Sequence, residues 1–186
     1  MIRAFIAVKL DSQTVLRISE VVAELKPRID SIRWVRPANF HFTLKFLGDI
    51  EESKIEPIAQ GLELELHPFP RFSINAKGLG VFPDPKRPRV LWVGLQGKEL
   101  AALASKVESV LESLGFAREK RAFQPHLTIG RWRQFDRSSG SFGDELERWR
   151  GHEFGVSTVA EVIFFQSELK PEGATHHPLK VVALAQ

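Results

Sequence analysis

Along this chain the spacing of apolar residues switches between a two-residue and a three-to-four-residue period, and the switches mark the elements. Residues 3–9, "RAFIAVK", read as a strand. Asp11 then stands where a helix N-cap belongs, and Val15, Leu16, Ile18, Val22 and Leu25 recur at helical spacing up to about Lys26. "IRWV" and "FHFTLKFL" read as strands. A second helical stretch runs from about Glu51 to Leu66, with Pro57 and Gly61 expected to interrupt it. Strands follow at "RFSINAKG" and "RVLWVGL". Between them "GLGVFPDPKRPRV" (residues 78–90) is so rich in Gly and Pro that it reads as the longest loop. "KELAALASKVESVLESLG" is the clearest helix, closed by Gly115 at the C′ position. A strand from His126, a polar Ser/Gly-rich loop and a short amphipathic piece near "DELERW" come next. Two last strands, within "FGVSTVAEVIFFQSEL" and "PLKVVAL", complete the chain.

Helices thus separate groups of strands without strict βαβ alternation, which predicts an α+β fold with largely antiparallel sheets. No Pro/Ser-rich linker divides residues 1–186, so one domain is expected. Within it, strand, helix and strand with "HFT" in the first half return as strand, helix and strand with "HLT" in the second. That order suggests internal duplication: two similar lobes, each donating one motif.

The motifs are "HFTLKFLG", from His41, and "HLTIGRW", from His126. In a strand, residues two apart share a face and lie roughly 6–7 Å apart. His41, Thr43 and Lys45 are therefore expected on one face, with Phe42, Leu44 and Phe46 on the other. Likewise His126, Thr128 and Gly130 should oppose Leu127 and Ile129. A single His-x-Thr is most simply a half-exposed strand with polar outward positions, since Thr is a good strand former. Two copies, each at the matching place of a repeat, point to function. Imidazole titrates near neutrality, so of two facing histidines one can take a proton while the other gives one. The threonine hydroxyls can donate hydrogen bonds to oxyanion oxygens. A doubled arrangement of this kind suits a centre attacked on one side and vacated on the other, such as phosphorus in an in-line displacement.

Composition narrows the setting. With 186 residues, 43% apolar and 26% charged, the chain has the make-up of an ordinary soluble globular protein. No window approaches the roughly 18 apolar residues of a membrane span, and the opening apolar run is too short for a signal peptide. A cytoplasmic protein with no membrane partner is the expectation, and no obligate protein partner is visible, so a monomer is expected. Zero cysteines remove disulfides, thiolate metal sites and thiol nucleophiles. A net charge of +3 fits a polyanionic partner without requiring one.

The remaining features are weaker. His67 and His152 lack a paired Thr and read as surface residues. His176 and His177 could join His41 and His126 at a metal, but no carboxylate or Cys ligand spacing accompanies them, so no metal is expected. The glycines of "GLGVF" lack the strand-to-helix context of a dinucleotide site, and no cofactor is expected. "KRPR", "REKR" and "RWRQFDR" read as solvated faces, although "GRWRQFDR" adjoins the second motif and could line a groove for RNA phosphates. Trp34 and Trp132 could each stack a base or lie in the core.

The two motifs carry a family resemblance. The chain resembles the 2H phosphoesterase superfamily, marked by paired His-x-Thr/Ser-x motifs, here "HFTL" and "HLTI". Within it the chain is similar to the RNA 2′,3′-cyclic phosphodiesterases, also called 2′-5′ RNA ligases. The likeness extends to "RAFIAV", "NFHFTLKFLGDI", "GLGVFP…PRVLWVGL", "FQPHLTIGR" and "FFQSEL". It implies a bilobal fold of two pseudo-symmetric lobes, helices on the outer faces and the motifs facing each other across a central cleft. It also implies metal-independent opening of RNA 2′,3′-cyclic phosphate ends to 2′-phosphates. His41 would be the proton donor and His126 the proton acceptor. Thr43 and Thr128 would hold the non-bridging oxygens, and Arg131 the phosphate, unless Arg131 is only a solvated strand-end charge. ATP-independent 2′-5′ joining in the same cleft is the alternative activity, and a non-catalytic RNA-binding module is the alternative of another class. Many members carry a tyrosine in a final "G..Y..L" segment where this chain has "GATHHPL" with His177, a position read as structural, with a substrate contact as the alternative.

Overall fold

The computed structural model describes residues 1–29, 31–133, 142–171 and 173–186. Its elements are β1 (Ile2–Val8), α1 (Ser12–Leu25), β2 (Ile32–Trp34), β3 (Phe42–Ile50), α2 (Ile55–Leu66), β4 (Phe72–Phe82), β5 (Val90–Gln96), α3 (Leu100–Ser113), β6 (His126–Trp132), α4 (Phe142–Arg148), β7 (Glu153–Val159), β8 (Glu161–Lys170) and β9 (Gly173–Ala183). The strands order as β7-β4-β5-β6-β3-β1-β8-β9, with β2 added beside β6, and the pairings between them are antiparallel. Reading outward from the β6–β3 boundary, β5, β4 and β7 on one side correspond to β1, β8 and β9 on the other. The fold is α+β with two related lobes, as expected. No helix among the described residues is long and apolar enough to cross a membrane.

The lobes meet at a single backbone register pair, Phe42 with Leu127. These are the middle residues of the two motifs, and both are fully buried. Because the strands run antiparallel, that register carries His41 toward Thr128 and Thr43 toward His126.

The chain interlocks the lobes. The C-terminal strands β8 and β9 return to the lobe of β1 and β3, and α1 packs on β7 of the other lobe, while α3 packs on β3. Thr158 N–H donates to the Asp11 carboxylate at 3.0 Å, and Thr14 Oγ1 donates to the Val156 carbonyl at 3.2 Å. Asp11 stands at the N-cap of α1 as anticipated, but its carboxylate makes no capping bond to the helix and serves the edge strand β7 instead. That use covers backbone groups that a sheet edge otherwise leaves unpaired.

Three expectations about elements are corrected. Pro57 and Gly61 do not interrupt α2. Pro57 falls in its first turn, where an N–H is not needed, and a Cβ at Gly61 would meet Val110 Cγ1 at 3.0 Å, so glycine lets α2 approach α3. The first part of the anticipated loop over residues 78–90 is strand: β4 runs through to Phe82, with Gly78 at φ +73° absorbing a register shift between Lys77 and Leu79. "FGVSTVAEVIFFQSEL" is two strands rather than one, because the chain leaves β7 at Ala160 and crosses to the other lobe as β8. The end of α3 follows expectation: Gly115 takes φ +90°, its N–H reaches the Glu112 carbonyl at 3.0 Å, and Phe116 N–H reaches Leu111 at 2.9 Å.

The strict alternation anticipated in the motifs also fails, for one physical reason. β3 has one residue more than β1 between the pairs Ala7–Thr43 and Ile6–Lys45, and β6 has one more than β5 between Trp92–Thr128 and Leu91–Gly130. Each is a β-bulge placed directly after the motif threonine. Lys45 is thereby turned away from the histidine face. It is only 9% exposed and its ammonium donates to both Glu108 oxygens, at 2.9 and 2.8 Å, and to the Ala117 carbonyl at 2.7 Å. Gly130 is likewise turned inward. Phe46 and Arg131 take the cleft side in their place.

Lys45→Met leaves the Glu108 carboxylate of α3 without its ammonium partner. The expected cost is about 3 kcal/mol in urea unfolding, and the double variant Lys45→Met/Glu108→Leu should recover most of it. Equal destabilisation of single and double variants would contradict this role.

Candidate active site

The helices cover one face of the sheet and the motifs open on the other. His41, Thr43, His126, Thr128 and Arg131 all line one cleft of about 500 Å³. All five candidates from the sequence are therefore brought together, Arg131 by the bulge that puts it on the side of Thr128 despite its odd spacing.

The imidazoles are held alike. His41 Nδ1 lies 2.7 Å from the Asn39 carbonyl and His126 Nδ1 lies 2.7 Å from the Gln124 carbonyl, each two residues back along the chain. A carbonyl oxygen only accepts, so each Nδ1 carries the proton and each Nε2 is left as the basic nitrogen. Each ring also lies 4.9 Å from a phenylalanine, His41 from Phe5 and His126 from Phe82. The Asn39 amide donates to the Ala174 carbonyl at 2.7 Å, fastening the turn before β3 to β9.

Both rings are desolvated, and both pKa values fall below the ordinary imidazole range. Burial pushes His41 down to about 4; the Asn39 carbonyl opposes this, and the charges of His176, Arg131 and Lys9 add to it. Burial lowers His126 as well, opposed by the Gln124 carbonyl and assisted by Arg131. Partial desolvation also lowers Arg131, whose guanidinium nonetheless stays cationic. In the unliganded cleft His41 and His126 are thus both neutral at neutral pH.

Arg3, Arg33, Arg36, Arg131 and Lys170 line the cleft, and among the described residues its lining includes no carboxylate. Such a surface attracts a polyanion. Sequence reasoning missed four of these cations because they are scattered singly along the chain, whereas it noticed clusters. Of those clusters, Arg118 and Arg121 of "REKR" pair with Glu112 and Glu119, and "KRPR" lies outside the cleft lining. In "GRWRQFDR", residues 134–137 lie outside the described residues, as does most of the Ser/Gly-rich loop. Trp132 is a core residue and Trp34 lines the cleft. His67 and His152 are both exposed.

The structure separates the two histidines near the C-terminus. His177 is exposed and faces Glu168, Nε2 to Oε2 3.4 Å. His176 is the one in the cleft, edge-on to His41 at 5.2 Å and to Phe5 at 5.0 Å between ring centroids. Burial lowers its pKa too, with the charges of His177 and Lys9 assisting. Strand alternation over β9 distinguishes the two, a signal available only once the strand was known to reach back to Gly173.

Comparison with known proteins matches this architecture. The model of the LigT-like phosphoesterases matches the chain twice, over residues 8–92 and 93–175, one match for each motif. An RNA 2′,3′-cyclic phosphodiesterase of Methanothermobacter thermautotrophicus is 34% identical, with 98% of this chain and 99% of that protein covered. One from Archaeoglobus fulgidus is 35% identical over 96% of this chain and 98% of the other, and one from Aquifex aeolicus is 39% identical over 84% and 85%. Among solved structures, TT0787 of Thermus thermophilus superposes with a TM-score of 0.84 at 23% identity, covering 97% of each chain. Escherichia coli LigT in its apo form gives 0.79 at 23% identity, covering all of this chain and 98% of that one. With the duplicated motifs, the shared cleft and the twofold family match in agreement, the chain belongs to the LigT-like phosphoesterase family.

Proposed function

We propose that this chain opens the 2′,3′-cyclic phosphate at the 3′ end of RNA, leaving a 2′-phosphate and a free 3′-hydroxyl. The observation that carries the reading is the matched anchoring of the two imidazoles, each with Nδ1 on a backbone carbonyl and Nε2 unengaged among the described residues, on opposite lobes of one cationic cleft. The activity named for relatives at 34–39% identity supports it.

In this mechanism His126 Nε2 takes a proton from water as the water oxygen bonds to phosphorus. The bond from phosphorus to O3′ breaks on the opposite side, and the departing oxygen takes a proton from His41 Nε2. Thr43 and Thr128 donate hydrogen bonds to the non-bridging oxygens, and Arg131 supplies the compensating charge. Each turnover leaves His126 protonated and His41 neutral, and exchange with solvent resets the pair. An RNA 5′-hydroxyl in place of water gives a 2′-5′ bond by the same proton transfers. The mechanism calls for no metal, and among the described residues the cleft lining carries cations and no carboxylate. Turnover of a cyclic-phosphate oligonucleotide should therefore survive EDTA; loss on chelation with recovery on adding a divalent ion would reject the mechanism.

The lowered pKa values set the pH dependence. His126 must be neutral to act, so activity is lost as pH falls through its lowered pKa. His41 must be protonated, and in the free protein that fraction falls as pH rises above about 4. The bell in kcat/KM, which reports the free protein, should peak below pH about 6.5. A bound phosphate anion favours the imidazolium, so the alkaline limb of kcat should lie at higher pH than that of kcat/KM. These limbs belong to the coupled pair. Coincident alkaline limbs would remove His41 as the donor. His41→Ala and His126→Ala should each cost roughly 10²–10⁴-fold.

Thr128→Val keeps shape and β-branching while removing the hydroxyl. It should lower kcat about 10²-fold or more with unfolding unchanged. Wild-type turnover in this variant would exclude Thr128 from the oxyanion contacts.

A further inference from the structure

Behind His126 stands a wall of rings, Trp92 and Phe82, that takes no part in the lining of the cleft. Across β4, β5 and β6 the register sets Gly80, Trp92 and Thr128 opposite one another, and it sets Gly94 opposite His126. Paired residues share a sheet face, so Trp92 stands on the side of the motifs. Its indole lies back across β4. A Cβ on Gly80 would fall well inside contact distance of Trp92 Cη2, Cζ2 and Cζ3, so the six-membered ring rests directly on the Gly80 backbone. A Cβ on Gly94 would stand 3.5 Å from Cζ3. Phe82 completes the wall, with its ring 5.1 Å from Trp92 and edge-on to His126 at 4.9 Å, while the Trp92 ring is 6.2 Å from His126. Trp92 Nε1 is buried and meets no acceptor among the described residues, so shape and not a hydrogen bond holds the indole. The other lobe has no such seat: the residue opposite Thr43 is Ala7, and His41 is flanked by Phe5 and His176.

We infer that Trp92, seated on Gly80, is a positioning residue for His126: with Phe82 it fixes the plane of the imidazole and keeps Nε2 aimed into the cleft. The inference rests on the reading of His126 as proton acceptor. The Nδ1 bond to the Gln124 carbonyl holds one atom of the ring and leaves it free to swing about that bond. Rings packed against the imidazole remove the swing, and a base held in one orientation meets the attacking water without first being ordered. The same rings supply part of the burial that lowers the His126 pKa, while the charge of Arg131 acts on it from β6 whether or not the indole is in place. Gly80, part of the "GLGVF" segment, is thus required for a close approach of side chain to backbone and not for a bound cofactor.

The test reads kcat and KM on an oligoribonucleotide ending in a 2′,3′-cyclic phosphate, together with the NMR titration of each histidine ring in the free protein. Gly80→Ala pushes the indole off its seat and alters no group at the phosphate. It should lower kcat about 10- to 100-fold, with KM within a few-fold of wild type. The His126 pKa should rise toward the ordinary value of about 6.5, and that of His41 should stay where it is. Trp92→Leu, which removes the indole without a clash, should reproduce both changes. A phenyl ring ends short of the three atoms that cover Gly80, so Gly80→Ala/Trp92→Phe should recover kcat to within a few-fold and restore the His126 titration. Wild-type kcat and titration in Gly80→Ala or Trp92→Leu overturns the role. So does a loss confined to KM, an equal shift of both histidines, or a double variant that unfolds in urea like wild type yet remains slow. Wild-type turnover in His126→Ala overturns the acceptor reading instead, and a wild type inert on the oligonucleotide overturns the activity; the positioning role falls with either.

Discussion

The pairing of Phe42 with Leu127 is the constraint from which the site follows. It joins the half formed by β7, β4, β5, β6 and β2 to the half formed by β3, β1, β8 and β9 at one register position, and that position is the centre of both motifs. Antiparallel pairing at one residue fixes its neighbours, so His41 faces Thr128 and Thr43 faces His126 with no side-chain contact needed to arrange them. A slip of one residue would turn every motif side chain to the opposite face. Burial of both central side chains in the core opposes that slip. The same interactions that hold the lobes together therefore hold the two imidazoles on facing sides of the cleft.

The bulges add what alternation cannot. An inserted residue after each threonine keeps the histidine and threonine on the cleft side and brings the third residue beyond to join them. In one lobe the residue turned away is Lys45, which becomes half of a shielded ion pair with Glu108 under α3. Repetition of the bulge in both lobes means that duplication copied the backbone device as well as the motif. Divergence then acted on the side chain it presents, arginine in one copy and phenylalanine in the other.

The electrostatics run in two directions inside this frame. Burial and neighbouring cations keep both imidazoles neutral in the unliganded cleft, and the cations of the lining favour an anionic occupant. An anion placed among them offsets both effects and raises the tendency of His41 to hold a proton.

Much of this was legible in the chain itself. Local periodicity and turn chemistry depend on residues close in sequence, which is why α1, α3 with its Gly115 stop, and the two motif strands could be read directly. The repeat of His-x-Thr located both catalytic candidates because each motif sits wholly within one strand. What depended on partners distant in sequence could not be read. The bulges exist only relative to β1 and β5, so the true facing of Lys45, Phe46, Gly130 and Arg131 was hidden. The crossing at Ala160 depends on which lobe each strand pairs with, so one apolar run concealed two strands. His176 and the scattered cations Arg3, Arg33, Arg36 and Lys170 reach the cleft only because β8 and β9 return to the first lobe and β2 adds to β6. The sequence by itself determined the elements and the reactive groups, since both are properties of short segments. The tertiary structure decided which faces those groups share and which charges surround them, because strand register and burial are set by residues far apart along the chain.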